Sequence, residues 1–177
     1  MSATSERHKE SAPHHLSFYV VTVSTSKFSQ QKARTCPDDA SGDLIARLVE
    51  QGGHTVTGRS IIPDNLNMIR RLVRTLTKKK EVDVIVLTGG TGVTQTDLTI
   101  EAITPLLDKT LPGFGELFRK ISFEKIGTAA VLTRAAAGVA NGKAIFSIPG
   151  SPDSVKTAVE QLILAESSHI VKHARER

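Results

Sequence analysis

Short apolar runs alternate with amphipathic segments along most of the chain. Residues 16–24, 54–62 and 84–87 are rich in β-branched and other apolar side chains, which predicts strands. The run 84–87 contains no polar residue, as expected of a strand buried on both faces of a parallel sheet. Apolar residues recur at helical spacing in the segments 41–51, 66–76 and 155–173. Strands that alternate with helices predict an α/β fold, a three-layer α/β/α sandwich around a mostly parallel sheet.

The segment 139–148 interrupts this alternation. Asn141-Gly142 lies there between two apolar runs, and this dipeptide is the strongest short signal for a two-residue β-hairpin. We therefore predict one antiparallel hairpin strand on the otherwise parallel sheet.

The segment 111–127 has no clear period and indicates a helix only after Gly113-Phe114-Gly115. It also holds Phe114, Phe118 and Phe123, three of the six phenylalanines of the chain. Two interpretations of this cluster remain open. The rings belong to the core beneath a helix, or they form an apolar patch that a neighbouring subunit covers.

Composition fits a single domain that handles an anionic small molecule. The polar residues 1–15 predict a disordered tail, and residues 16–177 form one domain by size. A net charge of +5 suits anionic ligands, whereas one Tyr and no Trp argue against stacking on nucleic acid. The single cysteine, Cys36, fits a reducing, cytoplasmic setting. No apolar run approaches the length of a membrane span, so no membrane partner is expected.

The strand at 84–87 leads into the loop Thr88-Gly89-Gly90-Thr91-Gly92. Glycines let an anion approach main-chain N–H groups, and Thr99, a predicted helix N-cap, follows the loop. A Gly-rich loop between a buried strand and a helix favours a phosphate site, with Asp97 as a magnesium ligand. Gln95 stands where a dinucleotide fingerprint needs glycine. A tight turn without a ligand is the alternative.

A second carboxylate, Asp64, follows the strand that ends at Ile62. If this strand lies near the strand 84–87, both carboxylates face one cleft beside the phosphate loop, as suits Mg²⁺ and a triphosphate. The alternative for Asp64 is a helix-start residue that the helix dipole favours. Ser24-Thr25-Ser26-Lys27 ends the first strand and either contacts phosphate or forms an ordinary polar loop. Residues 28–39, polar and broken by Pro37, predict a flexible flap.

Four motifs together resemble the molybdenum-cofactor biosynthesis family, the MoaB/MogA group. They are LTGGTGVTQTDLTIEAI around the glycine loop, Ser147-Ile148-Pro149-Gly150-Ser151-Pro152, Asp39-Ala40-Ser41-Gly42 and Ile62-Pro63-Asp64. The motifs occur in the order and spacing of that family and cover roughly residues 16–165. The resemblance implies a molybdopterin adenylyltransferase, with Mg²⁺ as cofactor, ATP as co-substrate and molybdopterin as substrate. A molybdopterin-binding or scaffold protein without catalysis is the alternative, and a flavin binder is a more distant one.

The resemblance also implies roles for residues. Asp64 and Asp97 stand at the positions of the two functional aspartates of the family, as catalytic residues and Mg²⁺ ligands. The expected nucleotide- and molybdopterin-binding residues, with Ser24 added from its place after the first strand, are Ser24, Thr88, Gly89, Gly90, Thr91, Gly92, Thr99, Arg134, Pro149, Gly150 and Ser151. Many relatives carry a serine after the arginine, where this chain has Ala135. The family forms trimers or hexamers, and other cofactor-biosynthesis proteins are expected partners.

Overall fold

The computed structural model describes residues 13–176. Most of the tail predicted at 1–15 therefore lies outside the described residues. His15, within them, has its ring nitrogens 2.8 Å from the carbonyl oxygen of Gly53 and 2.9 Å from Oγ1 of Thr55. The described chain thus starts against the strand that begins at Thr55.

Strands and helices alternate as the hydrophobic pattern predicts. The strands are β1 Ser17–Val23, β2 Thr55–Ile62, β3 Val84–Thr88, β4 Lys109–Thr110, β5 Ala136–Ala140 and β6 Lys143–Ile148. The helices are α1 Thr25–Lys32, α2 Ala40–Gln51, α3 Leu66–Leu76, α4 Thr99–Ile103, α5 Pro112–Ile126, α6 Pro152–Ala158 and α7 Leu164–Arg175. Short 3₁₀ helices follow α4 and α5, and the π-helical segment Val159–Ile163 joins α6 to α7.

The six strands form one sheet in the order β2-β1-β3-β6-β5-β4. Strands β2, β1, β3 and β6 run parallel. The turn Asn141-Gly142 makes β5 antiparallel to β6 as predicted. Val23 pairs with Ile62, and Thr88 pairs with both Thr22 and Ile148. The carboxyl ends of the four parallel strands therefore meet at one edge, which we call the carboxyl edge.

Helices cover both faces of the sheet, so the predicted three-layer sandwich is confirmed. Val84 and Val86 of β3 face a core shared with α2, α5, α6 and α7, whereas Ile85 and Leu87 face a second core with α3 and α4. All five residues of β3 are buried. This double burial explains why the run 84–87 is wholly apolar.

Of the two segments that looked irregular in sequence, 28–39 is helical only as far as Lys32, whereas Pro112–Ile126 forms one continuous helix. The predicted flap at 28–39 begins inside α1, which buries none of its residues and therefore has no apolar stripe. Helix α5 starts at Pro112, before the glycines, because proline suits the first helical turn. Its Phe114 and Phe118 are 9% and 1% exposed and belong to the core, whereas Phe123 is 58% exposed.

Two details differ from the predictions. Thr99 is the first residue of α4 and not its N-cap, because its hydroxyl donates to the carbonyl of Gly89 at 2.8 Å instead of capping the helix. The two-residue strand β4 adds a second antiparallel pairing, to β5, and is too short to show any period in sequence.

Candidate active site at the carboxyl edge

The strand order changes direction at the carboxyl edge between β1 and β3. From β1 the chain crosses to β2 on one side, and β3 then pairs with β1 on the other side. Loops that leave neighbouring strands in opposite directions separate there, which is where open α/β sheets bind ligands. Every candidate site residue lies on or near the loops at this edge.

The glycine loop after β3 is held by hydrogen bonds to its neighbours. Gly89 donates its N–H to the carbonyl of Ile148 at 3.1 Å, and Thr99 donates its N–H to the carbonyl of Gly90 at 2.9 Å. Gly89 and Gly90 have φ angles of 94° and 61°, a region that disfavours other residues. The loop is therefore fixed in a shape that only glycine adopts readily.

Asp64 lies directly against this loop. A Cβ atom on Gly90 would stand 2.1 Å from Oδ1 of Asp64, so glycine makes room for the carboxylate. That oxygen is buried and accepts no hydrogen bond from any residue between 13 and 176. Burial raises the pKa of Asp64 and is the largest cause of its shift. The N–H of Leu98 lowers this pKa, and the charge of Asp97 raises it. The carboxylate thus sits where a cation would stabilise it.

Asp97 flanks the other end of the loop. Its Oδ2 accepts hydrogen bonds from the N–H of Thr94 at 2.9 Å and from the Thr94 hydroxyl at 2.6 Å. These bonds, chiefly that from the hydroxyl, hold the pKa of Asp97 below its usual range, and the charge of Arg134 acts in the same direction. A Cβ atom on Gly92 would stand 2.6 Å from Oδ2. Asp97 is therefore a fixed, readily ionised carboxylate, in contrast to Asp64.

Arg134 binds the outer side of the loop. Its Nε donates to the carbonyl of Thr91 at 3.2 Å, and one terminal nitrogen donates to the carbonyl of Asp97 at 3.2 Å. Both terminal nitrogens also reach the carboxylate of Glu101, at 2.5 and 3.3 Å. Sequence reasoning missed Glu101, which lies in the first turn of α4. Its partner lies 33 positions away, and no local pattern announces such a pair.

The turn after β6 forms the opposite flank of the site. The Thr88 hydroxyl donates to the carbonyl of Pro149 at 3.2 Å, and the Ser41 hydroxyl donates to the carbonyl of Gly150 at 2.6 Å. Ser151 then caps α6, since its hydroxyl oxygen accepts from the N–H of Ser154 at 3.3 Å. The helix N-terminus here brings partial positive charge to the carboxyl edge.

Ser24 lies at the end of β1 and caps α1, where its hydroxyl oxygen accepts from the N–H of Lys27 at 3.4 Å. The next residue, Thr25, accepts the N–H of Asp64 at 3.1 Å and so ties the loop after β1 to that after β2. The structure thus brings all predicted site residues to one edge, in two groups. Asp64, Asp97, Thr99 and Arg134 surround the glycine loop, and Ser24 and the turn after β6 flank it.

The two carboxylates suit Mg²⁺, which prefers oxygen ligands. The buried Oδ1 of Asp64 has no donor among the described residues, and Asp97 is held ionised by Thr94. No set of three or more histidine, cysteine, aspartate or glutamate side chains is grouped to hold a metal anywhere in residues 13–176, so the protein offers two carboxylates here. No helix within the same range is long and apolar enough to cross a bilayer.

Known proteins resemble this chain along nearly all of its length. A family model described as "Probable molybdopterin binding domain" matches residues 19–169. Molybdenum cofactor biosynthesis protein B of Halalkalibacterium halodurans is 43% identical over 168 residues, which cover 94% of this chain and 95% of that protein. Molybdopterin adenylyltransferase of Pyrococcus furiosus is 43% identical over 175 residues, covering 97% and 98%. The crystal structure of the tungsten cofactor synthesizing protein MoaB from Pyrococcus furiosus matches with a TM-score of 0.81 and 42% identity, covering 93% of this chain and 100% of that one.

Proposed function

The chain belongs to the molybdopterin-binding family of molybdenum cofactor biosynthesis proteins, and from this premise we propose that it is a molybdopterin adenylyltransferase. A phosphate oxygen of molybdopterin attacks the α-phosphorus of ATP and forms a new phosphorus–oxygen bond. The bond from that phosphorus to the bridging oxygen of the β-phosphate breaks, and pyrophosphate leaves. AMP stays joined to molybdopterin through a phosphoanhydride. One observation carries the proposal: two carboxylates of unlike pKa flank a glycine loop in a chain 43% identical to a molybdopterin adenylyltransferase.

Asp64 and Asp97 are the proposed Mg²⁺ ligands. When bound, the ion supplies positive charge that neutralises the triphosphate and the departing pyrophosphate. Asp64 serves the ATP side of the site, because it lies toward β2 and away from the turn after β6. Asp97 keeps its carboxylate ionised and in one orientation through Thr94. Positioning of this kind supplies most of the catalysis in phosphoryl chemistry.

The glycine loop, Thr88 to Gly92, is proposed to bind phosphate groups of ATP and molybdopterin through its main chain. Thr99 holds the loop by donating to Gly89, and Ser24 adds a hydroxyl from β1. The turn Pro149-Gly150-Ser151 is proposed to line the pterin pocket. Arg134 contributes to that pocket by fixing the carbonyls of Thr91 and Asp97.

The experiment is to measure pyrophosphate release from ATP with and without molybdopterin and Mg²⁺. Release that requires all three components supports the proposed function. Tight molybdopterin binding with no pyrophosphate release, in protein that also binds ATP, would contradict it and favour a binding or scaffold protein.

We also propose that the protein works as a homotrimer or hexamer, in the cytoplasm, beside other cofactor-biosynthesis proteins. Large apolar side chains are exposed along α5 and the 3₁₀ helix that follows it, namely Leu117, Phe123, Ile126, Val131 and Leu132. A second copy of the chain that covers this surface would remove it from water. Phe123→Glu should lower the mass measured by light scattering. Phe114→Glu does not test the assembly, because Phe114 belongs to the core and its replacement would disrupt the fold itself.

A further inference from the structure

Two histidines of α7 lie far from the candidate active site. His169 and His173 line a groove of about 520 Å³ between the last helix and the strands β4 and β5. Arg175, two residues further on, has its guanidinium 2.5 Å from the carboxylate of Asp83, which directly precedes β3. The groove therefore opens at the amino ends of the parallel strands, on the side of the sheet opposite to the glycine loop.

The two imidazole rings face each other through their Nε2 atoms. Nε2 of His169 lies 2.8 Å from Nε2 of His173, as the spacing of four residues on one helix face allows. Nδ1 of His173 lies 2.7 Å from a carboxylate oxygen of Glu176, and Nδ1 of His169 lies 3.4 Å from one of Glu166. Each carboxylate can accept a hydrogen bond from the Nδ1–H it faces. At 2.8 Å the two Nε2 atoms are within hydrogen-bond distance, so one ring donates and the other accepts.

A cation bound by both Nε2 atoms would take the place of the proton that they share. We infer that His169 and His173 form a chelating pair for a divalent transition-metal cation that prefers a square or octahedral arrangement, such as Cu²⁺ or Ni²⁺. Two metal–nitrogen bonds of about 2.0–2.1 Å at a right angle place the nitrogens about 2.9 Å apart, whereas a tetrahedral angle spreads them further. The observed 2.8 Å fits the right angle.

The surroundings have the features of a histidine metal site. Carboxylates that accept a hydrogen bond from Nδ1–H fix the tautomer and orient the ring of metal-binding histidines. The carboxylates of Asp108 and Glu176 also line the groove and favour a cation there. Since no larger cluster of potential ligands occurs in residues 13–176, water completes the coordination. The side chains are 28% and 43% exposed, so the ion reaches them without any opening of the fold.

The test uses the full chain, stripped with a chelator and titrated with Cu²⁺ as its glycine complex, which suppresses weak binding. We expect a single tight equivalent whose electron paramagnetic resonance spectrum shows two coupled nitrogens. His169→Ala and His173→Ala should each remove that spectrum. The paired variant His14→Ala/His15→Ala is the matched control, and it should keep the spectrum. Equal binding by the His169→Ala/His173→Ala protein, or no protein-bound Cu²⁺ in the wild type, would overturn the inference.

Thermal unfolding gives a second measurement that does not depend on spectroscopy. A cation that binds only the folded helix raises the Tm with concentration. Ni²⁺ should therefore raise the Tm of the wild type and of the His14→Ala/His15→Ala control, and leave that of the His169→Ala/His173→Ala protein unchanged. If the two rings merely share a proton, Ni²⁺ will shift none of the three proteins, and the inference fails.

Discussion

At the amino ends of the parallel strands, charged side chains are matched by partners, whereas at the carboxyl edge a buried carboxylate oxygen is left for something else to bind. Lys143 opens β6 and is 6% exposed, and its ammonium donates to the carbonyls of Lys79 and Val82. Asp83 precedes β3 and accepts the N–H of Ser17 at 2.8 Å and the guanidinium of Arg175 at 2.5 Å. Asp64, across the same sheet, has a buried oxygen that no residue from 13 to 176 contacts by a hydrogen bond.

The same burial thus has different consequences at the two ends. It lowers the pKa of Lys143 and raises the pKa of Asp64, because both charged forms lose water. Lys143 regains hydrogen bonds by donating to main-chain carbonyls, which ties the segment after α3 to the sheet. The buried oxygen of Asp64 gains no donor among the described residues, so a cation would stabilise its charge. The amino ends therefore stabilise the fold, and the carboxyl edge retains binding capacity at some cost in stability.

The largest expected effect is on activity at the carboxyl edge. Asp97→Asn and Asp64→Asn should each reduce adenylyl transfer by at least about 100-fold, because an amide is a poor replacement for a carboxylate that binds a cation. The amide oxygen introduced by Asp97→Asn can still accept from Thr94, so the loop stays folded. The Asp64→Asn protein should keep its equilibrium affinity for molybdopterin, since the proposed role of Asp64 is on the ATP side.

The matched control is Asp83→Asn, an identical change at the other end of the strands, which should turn over close to the wild-type rate. Near-normal turnover by a folded Asp97→Asn protein would end its assignment as a metal ligand. Loss of molybdopterin affinity in Asp64→Asn with normal turnover at saturating molybdopterin would reverse the two roles.

The next effect is on stability, at the amino ends. Lys143→Met keeps the apolar stem but leaves the carbonyls of Lys79 and Val82 without their donor. The loss should cost about 2–3 kcal/mol in the free energy of unfolding, measured in urea. Lys109→Met, at an exposed position, is the control and should change little. An unchanged midpoint in the Lys143→Met protein would mean that water replaces the ammonium.

Local signals in the sequence account for most of the architecture. The wholly apolar run 84–87 predicted a doubly covered strand, and Asn141-Gly142 predicted the hairpin, because each depends on neighbouring residues alone. Asp64 and Asp97 were placed at one edge by the same logic, since each follows a strand of a parallel sheet. Asp97 follows the glycine loop in sequence, whereas the contact of Asp64 with the loop depends on the strand order β2-β1-β3, which no local signal gives.

Features that depend on distant residues were missed. Helix α1 has no buried side chain, so its residues carry no periodic signal. Glu101 and Arg134 meet only through the fold, and neither position reveals the other. The phenylalanines of α5 left two interpretations open, and the fold divides them. Phe114 and Phe118 pack in the core, and Phe123 lies on the surface. The sequence indicates a helix after the glycines, and Pro112 is the local clue that α5 begins before them.

A smaller effect on activity is expected from the missed pair. Glu101→Gln removes the charge that holds Arg134 but keeps one acceptor, so the loop carbonyls of Thr91 and Asp97 lose their fixed donor. The KM for molybdopterin should rise about tenfold, the scale of one charge-assisted hydrogen bond, while the KM for ATP is unchanged. Glu116→Gln on the exposed side of α5 is the control. Equal rises in both KM values would indicate a general loss of structure.

The smallest expected effect is on stability, and its sign differs between Asp64→Asn and Asp97→Asn. Folding raises the pKa of Asp64, so its ionised form destabilises the folded protein above that raised pKa. The penalty disappears as the pH falls toward 3.8, the pKa of an unperturbed aspartate. Asp64→Asn should therefore be slightly more stable than the wild type at pH 7, and the gain should fade in acid. The pKa of Asp97 is lowered, so its charge stabilises the protein at neutral pH, and this is lost only as the pH falls through that lowered pKa. Asp97→Asn should be slightly less stable at pH 7. Urea midpoints from pH 7 downward measure both, and the same sign for the two variants would contradict the contrast between the carboxylates.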